Sequence, residues 1–560
     1  MNRSDTINRL QAKPETRVLV IGGGINGIAV FRDLALNGVP VVLADKSDFT
    51  AGASSALSRM VHGGLRYLEN GEFKLVQESL FERDLLLRNA PHYVRPLPTT
   101  VPIFGIFSGL ANGAMRFLHL SRRQAKRGAV LIKVGLTLYD LFTSNRHALP
   151  AHQFRGRAKT MDRLPDLNPA ARASATYYDA WVSHPERLAL EMLQEGIAAG
   201  GLALNHAAVS RVGESLVISN AIGGEDIAIN PELVINATGG WIDLTNSAID
   251  AHAPRLMGGT MGSHLVLDNA RLLKALDGQM VYYENEDGRI CIVFPYLGKV
   301  LVGSTDVRVD DPDAVRASTE ERDYILASLA VIFPAIKIKP EEIVYQFAGV
   351  RPLPASDSKV TGRIPRDHFC EFIEGEPPVL CMIGGKWTTF RSFGALAADM
   401  VYERLGVERA VDTASLPIGG GADYPADPQR WIAETAQSTG LPAARLAALL
   451  ERYGSRAGEL ATQFGADAPI AGHSRAELEY LIANEHVETL ADLLVRRTTI
   501  AITGGISMSV IDQCLAMLAE AKGWSPARAA AEKQSFLDFL AVRHALDAAT
   551  LTLRDQRTTA

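Results

Sequence analysis

Cysteine is scarce in this chain. Its 560 residues carry Cys291, Cys370, Cys381 and Cys514, with no CxxC pair and no metal-like spacing from histidine. That excludes a disulfide scaffold and predicts no metal centre; the pattern fits a reducing compartment and incidental thiols. Long apolar runs are also missing. No stretch reaches the roughly 18 residues a spanning helix needs, so none is expected. The N-terminal segment MNRSDTINRLQAKPETR has no apolar core of the secretory kind, and the expected location is the cytoplasm. An excess of positive charge is lacking too. At a net charge of -6 there is no overall cationic field to hold phosphates, which argues against nucleic acid as a general partner. The sequence contains neither an internal repeat nor a low-complexity tract.

What is present is length enough for two or three domains, each with a core of its own. From Arg17 to Ile21 the residues read as a short buried strand. A Gly-rich turn and an amphipathic helix to about Leu36 follow, then a second strand from Val39 to Ala44. This β-α-β start predicts a parallel, doubly wound sheet. Between Leu256 and Gly349 the period changes. His264 to Leu267, Met280 to Tyr283, Ile290 to Pro295 and Val300 to Gly303 read as antiparallel strands, with turns at NEDG and YLGK. Beyond Pro417 helical spacing dominates, as in Ala444 to Arg452, Arg475 to Ala483 and Ser525 to Arg543. The expected organisation is a discontinuous nucleotide domain (residues 15–95, 180–255 and 350–410), a substrate domain (96–179 and 256–349) and a helical C-terminal domain (415–560).

The first motif with chemistry in it is VLVIGGGINGIAV. Gly22, Gly24 and Gly27 fit G-x-G-x-x-G between strand and helix, with Asn26 inside the motif. The first glycine permits the tight turn, the second lets a pyrophosphate approach the backbone, and the third lets helix and strand pack closely. Free N–H groups and the helix dipole favour the anion. Asp45, at the end of the second strand, is the expected acceptor for ribose hydroxyls. The motif alone does not separate FAD from NAD. Three later segments bear on that choice. Ser47 to Ser58 is small and hydroxyl-rich, with Ser54, Ser55 and Ser58 able to approach a diphosphate or flavin. Ala237, Thr238 and Gly239 end a buried strand. Gly385, Lys386, Thr388 and Thr389 lead into a helix. A chain that returns twice to its ligand suits a long cofactor, and FAD is the predicted one.

The segment SRMVHGGLRYLENGEFKLVQESL (Ser58 to Leu80), GSTDV (Gly303 to Val307), AGVRPL (Ala348 to Leu353) and GGKWTTFR (Gly384 to Arg391) resemble the signatures of FAD-dependent glycerol-3-phosphate dehydrogenases. The likeness runs from about Arg17 to the C-terminal helices. It implies an α/β flavoprotein with a glutathione-reductase-type Rossmann domain, an antiparallel-sheet substrate domain and an all-helical C-terminal domain. It also implies oxidation of sn-glycerol 3-phosphate to dihydroxyacetone phosphate, with electrons passed from FAD to quinone. By resemblance, Arg66, Tyr67, Arg366 and Lys386 surround the substrate or its phosphate, Arg351 stands near the reacting carbon, and His62, Gly63 and Gly64 lie along the flavin. Arginine suits such a dianion because its planar fork matches phosphate oxygens. For the hydroxyl proton, His62 and His264 are both candidates, and Arg351 instead polarises the forming ketone. The base stays unassigned.

The chain departs from the family at three places. Asp45 stands where many relatives carry Glu, Met261 where Lys is expected, and residues 104–133 form an expansion. Within that expansion Phe107, Leu110, Ala111, Ala114 and Leu118 make a helical apolar stripe. Ser108, Asn112, Arg116, His119 and Arg123 back it, and Arg122, Arg123, Lys126 and Arg127 follow as a basic cluster. Such a helix is suited to the membrane surface, where a quinone resides. The competing expectation is packing on the protein's own core or in a homodimer, which Gly105, Gly109 and Gly113 would permit. Two rivals to the dehydrogenase reading stand beside it: an oxidase that hands electrons to oxygen, and a flavin-binding sensor without turnover.

Overall fold

A computed structural model describes residues 3–64, 72–105, 136–137, 149–285, 287–355 and 367–558. The first strand, Glu15–Ile21, buries Val18, Leu19 and Val20 completely, as a strand covered on both faces does. It pairs in parallel with Val41–Ala44 on one side and Ile227–Asn236 on the other. Leu202–Leu204 and Val379–Gly384 extend the sheet in parallel, and His368–Ile373 closes one edge antiparallel. The register levels Ile21 with Ala44 and Asn236, so these strands end along one edge. That carboxyl-end crevice is where doubly wound sheets bind ligands. The helix Ile25–Leu36 packs between Pro185–Ala198 and Phe390–Leu405.

The second sheet centres on Met257–Leu267. It pairs along its length with Ile343–Pro354, and on its other side with Lys299–Gly303 and Val307–Val309, all antiparallel. The sheet continues through Ile290–Tyr296, Met280–Glu284, Val94–Ile103 and Ala173–Val182 to the short strand Met60–Val61. Among the described residues one pairing in it is parallel, between Met280–Glu284 and Val94–Ile103. The long strands Val94–Ile103 and Ile343–Pro354 were not read from the sequence. Pro96, Pro98 and Pro102 in the first, and Gly349, Pro352 and Pro354 in the second, break the alternation by which a strand is recognised.

The C-terminal helices begin and end on the signals the sequence carries. Asp427, Ser474, Ser507 and Ser525 cap four of them by accepting from backbone N–H groups, and Gly440 and Gly523 end two in the left-handed conformation. This domain does not have a core apart. Leu446, Leu493, Ile511 and Leu540 belong to one buried cluster with Val266, Phe294, Tyr345 and Phe347 of the second sheet. The four cysteines are free thiols. Among the described residues, no helix is long and apolar enough to cross a membrane. The proposed membrane-contact helix lies outside the described residues.

Candidate cofactor and substrate site

A cavity of about 950 Å³ opens where the carboxyl edge of the first sheet meets one face of the second. Gly22 and Gly24 form its floor. Gly22 has φ +108°, and a Cβ there would meet the Ala237 carbonyl carbon at 2.8 Å; a Cβ on Gly27 would overlap the Gly22 carbonyl oxygen. Strand, turn and helix therefore touch through backbone alone. Ser54 accepts a hydrogen bond from Ile25 N at 2.8 Å, capping the first turn of the helix. The Asp45 carboxylate accepts from Gly23 N at 2.6 Å and Ser47 N at 2.7 Å. Burial pushes this acid up to about 6, against the pull of those two bonds, and it lines the cavity beside the glycine turn.

The opposite wall comes from Ala237, Thr238 and Gly239, which follow Ile227–Asn236, and from Gly385, Lys386 and Thr388. Asn26 faces Gly385 across this gap, 3.0 Å from where a Cβ would stand. The Oδ1 of Asn26 and the Nε1 of Trp387, both on the cavity wall, are buried without a hydrogen-bond partner. Buried polar atoms are rarely left so, and both residues border a cavity lined by polar and apolar groups alike, which fits a long ligand that carries both. Gly27, Gly63, Gly64 and Thr389 stand just behind the wall rather than in it, and Ser55 lines it while its hydroxyl donates to Gly52 O at 3.2 Å.

The second sheet supplies the other end. In an antiparallel pair, residues opposite each other share a face, and the face alternates along each strand. The register sets His264 opposite Phe347, Gly262 opposite Gly349 and Thr260 opposite Arg351, so His264, Gly262 and Arg351 look into the cavity together. The Arg351 guanidinium folds over Gly262, where a Cβ would overlap it. It donates to Asp306 at 2.9 Å, to Ser304 Oγ at 3.1 Å and to the Thr305 carbonyl at 2.9 Å. Among the described residues Met261 is not part of the cavity wall.

His62 reaches the cavity because Met60–Val61 pairs with Ala180 and Trp181 and ends there. Its backbone N–H donates to Thr388 Oγ1 at 3.4 Å, and the Gly63 N–H to Asp179 at 3.1 Å. Lys386 Nζ donates to Ser79 Oγ at 3.0 Å. His264 stacks on Phe347, and its Nε2 lies 2.8 Å from Ser58 Oγ. Burial, with Arg351 and Arg59 nearby, pushes His264 down to about 3; it is a neutral ring. Arg66, Tyr67 and Arg366 lie outside the described residues.

Several residues in or behind the cavity wall went unread in the sequence. Asp306, partner of Arg351, sits in GSTDV and was legible there as a carboxylate two residues past Ser304. Arg59 is fully buried in a two-pronged pair with Glu186, at 2.7 and 2.8 Å. Arg496 comes from the C-terminal domain, over 400 residues beyond the loop it meets, and no local signal could have found it.

Residues 17–391 match the model of the FAD dependent oxidoreductase family, and residues 411–529 match that of the C-terminal domain of alpha-glycerophosphate oxidase. The chain is 33% identical over 557 residues to the glycerol-3-phosphate dehydrogenase of Synechocystis sp., covering 93% of this chain and 96% of that one. It belongs to the FAD-dependent glycerol-3-phosphate dehydrogenase family. Another relative is the D-erythritol 1-phosphate dehydrogenase of Brucella abortus, 31% identical over 512 residues and covering 87% of this chain and 95% of that protein. Among solved structures, the FAD complex of the Bacillus halodurans glycerol-3-phosphate dehydrogenase superposes with a TM-score of 0.74. It is 24% identical and covers 98% of each chain, a likeness of fold. As a member of this family the chain uses FAD, and the glycine turn, Asp45 and the Asn26–Gly385 gap are the residues that fit it.

Proposed function

We propose that the chain oxidises sn-glycerol 3-phosphate to dihydroxyacetone phosphate and passes the electron pair to a membrane quinone. What supports this reading most is that Arg351, His62 and Lys386 line the same cavity as the glycine turn, in a family whose members act on polyol phosphates. When bound, the flavin accepts the hydride from C2 of the substrate. Lys386, with Arg66 and Arg366, holds the phosphate. Arg351, fixed by Asp306 and the Thr305 carbonyl, directs positive charge toward the C2 oxygen as it becomes a ketone. An imidazole nitrogen of His62 takes the hydroxyl proton. His264 is the weaker candidate, since its imidazolium would be buried beside Arg351 and Arg59, and burial with these two charges pushes its pKa down to about 3. His264 instead orients the Ser58 hydroxyl.

His62→Asn is expected to lower kcat/KM about a hundredfold, the lower part of the general acid–base range. His264→Gln is expected to cost much less. A larger loss in His264→Gln than in His62→Asn would reverse the two roles.

Anaerobic addition of sn-glycerol 3-phosphate to the yellow protein tests the reaction itself. The flavin absorbance is expected to bleach and to return on adding quinone. Rapid return in air with peroxide means an oxidase, and no bleaching means a sensor or another substrate. The Brucella abortus relative favours one specific alternative, so D-erythritol 1-phosphate belongs in the same experiment; bleaching by it alone would displace the triose product from this reading.

The acceptor implies contact with lipid, for which residues 103–133 are the proposed surface. Wild type is expected to float with anionic liposomes and a Phe107→Ser, Leu110→Ser, Arg123→Glu variant to stay behind. Equal behaviour of the two proteins removes this segment as the anchor.

A further inference from the structure

The loop that follows Asp45 is held from behind by the C-terminal domain. Asp48, with no exposed surface, accepts from Arg496 Nε and from both terminal nitrogens of Arg497. It also accepts from Asn205 Nδ2 at 2.8 Å. Arg496 continues to Asp492 at 2.8 Å, and Asp492 accepts from the Glu488 and Thr489 N–H groups at 2.9 Å and lies 3.0 Å from His206 Nε2. Arg497 donates to the Glu485 and His486 carbonyls at 2.7 and 3.1 Å. Both arginines lie in a single π-helical turn, Asp492–Arg497, a geometry recurrent at functional sites. Asp48, His206 and Asp492 bring their ligand atoms within 4.8 Å of one another, but two guanidinium groups already supply the cations there.

The same segment reaches the cofactor residues. His206 N donates to the Ser47 carbonyl and Ala207 N to that of Asp45, both at 2.7 Å. Thr50 N donates to the Gly23 carbonyl at 2.9 Å. Phe49 is buried beneath Gly23, where a Cβ would meet its ring at 2.6 Å, and its ring meets His486 edge-on at 5.6 Å. Loop 45–50 is thus wedged between the glycine turn and residues 485–497. Arg496 itself forms part of the cavity wall.

We propose that Arg496 and Arg497 are positioning residues for FAD: through Asp48 they fix the loop that presents Asp45 and Ser54, making the helical domain part of the cofactor site. A fully satisfied buried network specifies one geometry, and the bonds to a charged partner are the strong ones. The proposal rests on the cavity being the FAD site.

The test follows FAD release from the holoenzyme on dilution, read by flavin fluorescence, together with KM for sn-glycerol 3-phosphate in excess FAD. Asp48→Asn keeps the shape and removes the charge. It is expected to weaken FAD binding about tenfold, the equivalent of one charge-assisted hydrogen bond, with KM unchanged. Arg445→Lys, which loosens a buried pair with Glu477 elsewhere in the helical domain, is expected to lower the melting temperature and leave FAD retention intact. Retention by Asp48→Asn equal to wild type overturns the proposal, as does equal loss in Arg445→Lys, which would mean stability alone. Should Asp48→Asn fail to fold, Arg496→Lys replaces it, with measurably faster release expected and wild-type release overturning the idea. Wild type that yields no FAD on denaturation would instead overturn the reading of the cavity.

Discussion

An Arg351→Ala variant is expected to purify with its flavin and to lose about 10²- to 10³-fold in kcat, the cost of removing a preorganised donor aimed at developing charge. Two effects add in the same direction. The positive charge leaves the place where the C2 oxygen gains electron density, and the Asp306 carboxylate, which Arg351 neutralises at 2.9 Å in the wild type, stays behind and opposes that charge. An Arg351→Ala, Asp306→Asn double variant should recover part of the loss, and Arg351→Lys should not restore it, because the single nitrogen of an ammonium does not reproduce the planar fork whose two terminal nitrogens reach Asp306 on one side and Ser304 and the Thr305 carbonyl on the other. Steady-state kinetics in FAD-saturated enzyme measure this. A kcat within about threefold of wild type, below 0.7 kcal/mol of barrier, would remove Arg351 from the chemistry.

Gly27→Val is expected to give a colourless protein. The new Cβ would overlap the Gly22 carbonyl, and the neighbouring Ala237 methyl is only 3.3 Å from it, so the helix must move off the strand. That shift carries away the N–H groups of the turn on which a diphosphate depends. Spectroscopy of the purified protein checks it: a normal flavin spectrum at full occupancy would show that the close helix–strand approach is dispensable. Gly38→Ala serves as the control, since a Cβ at Gly38 meets nothing within 4 Å, though its φ of +74° makes that variant slightly less stable.

These expected effects differ in how far they were readable beforehand. The glycine spacing names Gly22, Gly24 and Gly27 because a strand–turn–helix contact is local, complete within a dozen residues. Arg351 was readable only through resemblance. Its strand contains Gly349, Pro352 and Pro354, which conceal the alternation, and its inward direction follows from pairing with Met257–Leu267, some ninety residues earlier. His62 and His264 were equal candidates as letters. Burial against Phe347 and the nearness of Arg351 and Arg59 push the pKa of His264 down, and none of those neighbours is adjacent in sequence.

By itself the sequence determined the glycine turn, the parallel start, the change to an antiparallel sheet and the helical C-terminal part. Each of these is written in short-range terms: a period of two or 3.6, a glycine where a side chain would collide, a cap before a helix. Tertiary structure alone decided which charges meet. Arg351 finds Asp306, Arg59 finds Glu186, and Arg496 and Arg497 find Asp48 more than 400 residues away. A buried charge must have a partner because leaving water without one is costly, but the sequence does not say which partner the fold will bring.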